Sequence, residues 1–196
     1  MIVYFLRHAS AGKAKADPAQ DDQRPLDEPG IEQSMTMGRL LARLEPQVEE
    51  IISSPLQRAR QTADSLARKL GLRVEVRPEL REMHFGRWEG LSWNQIVRRY
   101  PRLASRWIAR FPHQAIPGAE PLRQFRKRIA AGVNEIVAEN RGQCALVVTH
   151  AGVIRFTLGK VLGLPARNLF RLSQDPCAVN VIDFLEGGAV VRCING

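Results

Sequence analysis

Arg7-His8, Ser53-Ser54-Pro55 with Arg58 close behind, Arg81-Glu82, and Thr149-His150-Ala151-Gly152 are the stretches whose residue types suit phosphate chemistry. An arginine presents a planar fork of N–H donors that matches phosphate oxygens. A neutral imidazole is a competent nucleophile. Two histidines and several arginines gathered at one place would hold a phosphoryl group and transfer it. Taken singly, each is unremarkable: a histidine in a loop is an ordinary polar residue, and Glu82 alone is an ordinary surface carboxylate. Their meaning depends on the elements that carry them.

Each stretch follows an apolar run. Ile2-Val3-Tyr4-Phe5-Leu6 and Cys144-Ala145-Leu146-Val147-Val148 read as buried strands, and Glu50-Ile51-Ile52-Ser53 as a third. Arg73-Val74-Glu75-Val76 alternates like an edge strand, and Arg81-Glu82 follow it after a short loop. Residues 178–185 and 189–194 read as two further strands joined through Glu186-Gly187-Gly188, a hairpin signal. Helical spacing runs from Leu56 through Ala59, Ala63, Leu66 and Ala67 to Leu70, with Gly71 placed to end the helix. Leu122, Phe125, Ile129, Val133, Ile136 and Val137 repeat the pattern, and residues 31–44 and 152–162 are further candidates. Alternating strands and helices imply an α/β domain with a mostly parallel sheet covered on both faces. In such sheets ligands bind beyond the carboxyl ends of the strands, where the four stretches lie.

Two segments break the rhythm. Residues 9–30 are polar and punctuated by Gly12, Pro18, Pro25, Pro29 and Gly30, which reads as a long surface loop. Residues 84–121 hold Trp88, Trp93 and Trp107 together with four prolines, which fits a small helical insertion within a single domain spanning 1–196. The tryptophans suit either a small local core or a wall against an aromatic group.

The 196 residues carry 24 Arg and 5 Lys, and a formal net charge of +9. Such an excess admits nucleic acid, an anionic membrane surface or a small anionic substrate as partner. No nucleic-acid motif accompanies it, and Arg98-Arg99-Tyr100-Pro101-Arg102 with Arg106 and Arg110 reads as a solvated helix face. No apolar run approaches the roughly 20 residues of a membrane span. Cys144, Cys177 and Cys193 form no CxxC pair, and the four histidines show no metal-ligand spacing, so neither a disulfide framework nor a zinc site is expected. A reducing cytoplasm is the expected compartment, with no cofactor, no metal, no nucleic acid and no membrane.

Four blocks also resemble the histidine phosphatase superfamily, the phosphoglycerate-mutase-like enzymes, in that family's order and across nearly the whole chain. They are Leu6-Arg7-His8-Ala9-Ser10, the run from Ser53 through Arg58 to Ala63, the run from Leu80 through Glu82 to Gly90, and Val148-Thr149-His150-Ala151-Gly152-Val153-Ile154-Arg155. The resemblance implies a three-layer α/β/α sandwich and a metal-independent phosphomonoesterase. It makes His8 the nucleophile that becomes a phosphohistidine. Arg7, Arg58 and His150 become the phosphate pocket, and Glu82 the residue that protonates the leaving oxygen and then activates water. Ser10, Ala151, Arg24, Arg81 and Trp88 are expected as further phosphate or substrate contacts.

The departures narrow the choice of subgroup. Ala9 stands where the family usually has Gly, and no Asn follows the nucleophile as an added phosphate ligand; Ser10 or a backbone N–H is expected in its place. Asp22-Gln23-Arg24-Pro25-Leu26 looks like the small phosphohistidine-protein phosphatases, but those lack the block containing Glu82. The run from Leu80 to Glu89, residues 113–120 and Asp175-Pro176-Cys177-Ala178-Val179 are similar to alpha-ribazole-5′-phosphate phosphatases. The expected partner is therefore a small phosphate ester, with alpha-ribazole 5′-phosphate first. A phosphohistidine protein or phosphoglycerate-mutase chemistry is the alternative, and non-enzymatic anion binding comes last. The oligomeric state, a homodimer included, stays open.

Overall fold

The computed structural model describes residues 1–44 and 46–196. Its sheet is built from β1 (Ile2–Arg7), β2 (Glu50–Ser53), β3 (Val74–Val76), β4 (Cys144–Thr149), β5 (Val179–Leu185) and β6 (Gly188–Cys193), in the order β3-β2-β4-β1-β5-β6. The pairs from β3 to β1 are parallel, whereas β5 and β6 join antiparallel through the expected hairpin, with Gly187 at φ 88° in the turn. The sheet is thus mostly parallel with an antiparallel edge.

Alternation along the central strands explains the layers. Val3 and Phe5 of β1, Ile52 of β2 and Val147 of β4 point to one side. There they meet Phe125, Ile129, Val133 and Ile136 of α6 (Leu122–Glu139) and Ile154 and Leu158 of α7 (Ala151–Val161). Tyr4, Leu6, Ile51, Leu146 and Val148 point to the other side, onto Leu41 of α2 (Glu28–Leu41) and Ala59, Ala63 and Leu66 of α3 (Gln57–Leu70). The small side chains of α3 and Gly38 of α2, where a Cβ would stand 3.3 Å from Lys69, let the two helices lie close together. The α/β/α sandwich follows from burying both faces of the sheet. Gly71 ends α3 in the left-handed region at φ 71°, the C-terminal stop expected of it.

Residues 9–30 differ from the expected surface loop. They contain the short helix α1 (Pro18–Asp22), with Asp21 buried, and they include the start of α2. Helix α2 begins three residues earlier than the apolar spacing suggests, because Asp27 caps it by accepting from Gly30 N–H at 2.9 Å, with Pro29 in the first turn. Apolar periodicity is blind to a polar first turn. Residues 84–121 contain α4 (Trp93–Arg99) and α5 (Pro101–Arg110), the first opened by a Ser92–Gln95 capping box. They pack a separate, smaller cluster of Trp88, Ile96, Ala104 and Ile116. Among the described residues no helix is long and apolar enough to cross a membrane.

Candidate active site

Parallel pairing puts the carboxyl ends of β1, β2 and β4 on one edge, with Arg7 opposite Thr149 and Ser53 opposite Val148. The chain then turns at each end. His8 N–H donates to the Thr149 carbonyl at 2.8 Å, and Ser54 N–H to that of Val148 at 3.0 Å, so the first residue past each strand is still held by the sheet. His150 is the N-cap of α7, and Arg58 lies in the first turn of α3. Two helix N-termini therefore aim their partial positive charge at this edge, which favours an anion.

A cavity of about 880 Å³ opens there, lined by Arg7, His8, Arg58, Glu82 and His150 together. Ser10, Ala151, Arg24, Arg81 and Trp88 line it as well. The imidazoles of His8 and His150 lie 5.0 Å apart, centroid to centroid, in an edge-on arrangement. His8 Nδ1 sits 2.7 Å from the Ala9 carbonyl. A carbonyl only accepts, so Nδ1 carries the proton and Nε2 keeps its lone pair. His150 Nε2 meets Ser54 Oγ at 2.8 Å, while its Nδ1 is buried with no partner in the protein. Arg7 and Arg58 each have a buried Nε in the same condition, although each uses an Nη1, on the Gln174 and Asp21 carbonyls respectively. Buried polar groups seldom go unmatched, and here two guanidinium donors and one imidazole nitrogen belong to the residues that the family resemblance assigns to phosphate.

Burial pushes the His8 pKa down to about 3, and the guanidinium of Arg58, with those of Arg7 and Arg24 behind it, pushes the same way. His150 is driven well below its usual range by burial and by the same charges. Burial and the neighbouring guanidiniums thus bias both rings to the neutral form. Glu82 is clamped at the start of α7: Oε2 accepts from Gly152 N–H and Oε1 from Met83 N–H, both at 2.9 Å. Glu89 lines the same cavity and is raised by burial, but its Oε1 accepts from Phe85 N–H and serves the turn after Glu82.

The structure distinguishes among the outer contacts. Ser10 spends its hydroxyl on Asp27 at 2.9 Å and its N–H on Gln33 at 2.8 Å, so both of its donors point away from any phosphate. Arg24 is held by Asp21 at 2.8 Å and by the Gly12 carbonyl at 2.7 Å, and Arg81 pairs with Asp22 across the mouth at 2.7 Å. Trp88 is almost wholly buried in the small cluster, with its ring edge-on to Trp93 and Trp107. The cavity's apolar arm is formed instead by Trp93, Trp107, Ile108 and Phe170. Trp93 and Trp107 belong to the tryptophan set for which the sequence left a wall against an aromatic group open, whereas Phe170 is a lining residue that sequence reasoning had not placed in the site.

Asp21 was a further omission as a support. It bridges Arg24 and Arg58, with Oδ2 3.2 Å from Arg58 Nη1, and its carboxylate is lowered: burial acts to raise it, but the Lys15 N–H and the two arginines outweigh burial. Its three-residue spacing from Arg24 was the only local hint. Among the described residues, no three His, Cys, Asp or Glu side chains converge in a way that would hold a metal ion.

Comparison with known proteins places the chain in a family and matches its fold. The family model described as histidine phosphatase superfamily, branch 1, matches residues 3–196. A bifunctional protein of Mycobacterium tuberculosis is 34% identical over 76% of this chain, although the chain spans only 41% of that relative's length. The adenosylcobalamin/alpha-ribazole phosphatase of Escherichia coli is 28% identical over 100% of this chain and 96% of its own. A solved mycobacterial glucosyl-3-phosphoglycerate phosphatase superposes with a TM-score of 0.85 at 26% identity, covering 100% of this chain and 98% of that one.

Proposed function

This chain belongs to the histidine phosphatase superfamily, enzymes that hydrolyse phosphate esters, and from that premise we propose that it cleaves a small phosphomonoester through a phosphohistidine on His8. The observation that carries the reading is the state of the His8 ring. Its Nδ1 is committed to the Ala9 carbonyl, its neutral form is enforced by burial and by Arg58, and its Nε2 is left to attack.

The substrate phosphate would settle among Arg7, Arg58 and His150, each of which has a buried nitrogen without a partner in the protein. His8 Nε2 attacks phosphorus as the bond to the leaving oxygen breaks, and Glu82 donates a proton to that oxygen. Water then gives a proton back to Glu82 and attacks the phosphohistidine. The P–N bond breaks, and inorganic phosphate leaves with His8 restored. Phosphoryl transfer needs mainly in-line positioning and stabilisation of charge on the equatorial oxygens, which the two guanidiniums and the two helix N-termini supply. A placed acid contributes about 10²–10⁴-fold.

The alcohol part of the ester would lie in the apolar arm formed by Trp93, Trp107, Ile108 and Phe170. A flat aromatic group fits such a wall by offset or edge-on contact, which supports alpha-ribazole 5′-phosphate as the substrate. Residues 84–121 act in this reading as a cap on the cavity. That cap crowds the approach of a phosphohistidine-bearing protein, the main alternative. Rapid quench with a radiolabelled phosphomonoester tests the mechanism: an acid-labile, base-stable phosphoprotein should form in the native protein and vanish in His8→Ala. No label in the native protein during turnover would refute the intermediate. A panel of alpha-ribazole 5′-phosphate, glucosyl-3-phosphoglycerate and a phosphohistidine protein tests the substrate, with kcat/KM expected to be highest for the first.

A further inference from the structure

The segment that carries Glu82 has no regular secondary structure to hold it, yet each carbonyl leading into it is gripped. Thr149 Oγ1 donates to the Leu80 carbonyl at 2.8 Å. The carbonyls on either side, of Glu79 and Arg81, both accept from one nitrogen, Nη1 of Arg128 on α6, at 2.7 and 2.9 Å. The same guanidinium holds Glu120 through Nε at 3.0 Å and Nη2 at 2.7 Å. It also lies over the buried Phe125 ring, 5.1 Å from its centroid. Helix α6 comes close enough for these bonds because position 132 is glycine: a Cβ there would stand 2.5 Å from that of Glu79.

Glu120 is where the 84–121 segment returns to the core, and its N–H donates to the His84 carbonyl at 2.9 Å, where the segment leaves it. Arg128 therefore joins three things: the residues before Glu82, the outgoing end of the cap and, through Glu120, the returning end. Although it lines the cavity, four of its five N–H groups are already bonded within the protein and its charge is matched by Glu120. It is poorly suited to bind substrate and well suited to fix a frame.

We propose that Arg128 is a positioning residue for proton transfer: by clasping the Glu79 and Arg81 carbonyls and Glu120, it holds Glu82 at the distance where the leaving oxygen receives its proton. This rests on the reading of Glu82 as the acid. It adds a residue that no block of the sequence pattern contains. A carboxyl group displaced by an ångström loses much of its effect, on the order of 10²-fold.

The test compares an alkyl phosphate, whose leaving group needs the proton, with 4-nitrophenyl phosphate, whose leaving group does not. Arg128→Gln should lower kcat on the alkyl ester by about 10–100-fold and on the aryl ester by less than about threefold. Arg128→Lys, able to reach the carbonyls but not to fork onto Glu120, should recover part of the loss. Added to Glu82→Gln, Arg128→Gln should cost little more, because the acid it positions is already gone. Equal losses on both esters, a rise in KM with kcat unchanged, or a full additional loss in the double variant would each overturn the proposal. If Glu82→Gln by itself shows no leaving-group dependence, the assignment of the acid fails, and this proposal with it. Should Arg128→Gln prove unfolded by thermal melting, Glu120→Gln leaves Arg128 in place with a weaker partner. It should shift the alkyl/aryl ratio in the same direction, and an unchanged ratio would count against the clasp.

Discussion

Gly152 is where helix α7 and the carboxyl group of Glu82 meet, and a Cβ at this position would stand 2.2 Å from Glu82 Oε1. Gly152→Ala should therefore push the carboxyl group aside. We expect a loss of about 10²-fold in kcat on alkyl phosphates, with the aryl rate and the melting temperature much less affected. Steady-state rates on both esters check it, and equal losses would show that the close contact has no bearing on proton transfer. The two imidazoles make a second prediction. Both are buried neutral, and His8 has a folded pKa of about 3, whereas an unfolded chain takes up a proton on histidine near 6.5. The unfolded state then binds more protons between those values, so stability is full above about pH 6.5 and declines as the pH falls towards 3, by about 1.4 kcal/mol per pH unit for each such group. The melting temperature followed from pH 7 to pH 4 should fall less steeply in His8→Gln than in the native protein. Parallel slopes would show that the His8 ring is not held neutral by the fold.

At the scale of elements, the site is the set of turns that follow β1, β2 and β4, and the least regular parts carry the finest adjustments. Helix α1 is only five residues long, yet it delivers Asp21 to Arg24 and Arg58. Asp21→Asn keeps the shape and removes the charge that holds Arg58. We expect KM for phosphomonoesters to change more than kcat, with inorganic phosphate inhibition shifting in the same direction as KM. Unchanged KM and phosphate inhibition would mean that Arg58 holds its place without Asp21. Helices α4 and α5 contribute the other wall. Trp93, which is 42% exposed and lines the cavity, should matter for a bulky aromatic ester alone. Trp93→Ala is expected to raise KM for alpha-ribazole 5′-phosphate several-fold and leave that for a small alkyl phosphate nearly unchanged; about 1–3 kcal/mol separates such cases in apolar pockets. A uniform change on both esters would argue that Trp93 serves only to pack the cap.

Across the whole molecule, the +9 charge and the arginines of the cavity give an anion a favourable approach. Long-range attraction of this kind is screened over about 8–10 Å at physiological salt. The value of kcat/KM for an anionic ester should fall with rising ionic strength while kcat holds steady. Most of the surface arginines need no partner to produce that effect. The two cores on either side of the sheet are closed by side chains that alternate along β1, β2 and β4, so the frame that carries the site is specified at many positions.

Alternation and helical spacing made the strands, the main helices and the layer order legible in the chain, because burial of a face forces a period on the residues that form it. The blocks around His8, Arg58, Glu82 and His150 were legible as well, since each lies after a strand that the pattern reveals, His8 and His150 directly and Arg58 and Glu82 a few residues on. Pairing in space was not. Asp21 against Arg58, Arg128 against the Glu79 and Arg81 carbonyls, and Glu82 against Gly152 N–H join residues 37, 49, 47 and 70 positions apart. They meet through backbone groups and a glycine's missing Cβ, features that leave no period in a sequence. Ser10 shows the reverse case: a hydroxyl placed by sequence beside His8 is engaged by Asp27, because the capped start of α2 comes within reach of it. Composition and spacing thus determine which groups stand at the edge of the sheet. Only the packed chain decides which of those groups are already bonded and which remain free to meet a phosphate.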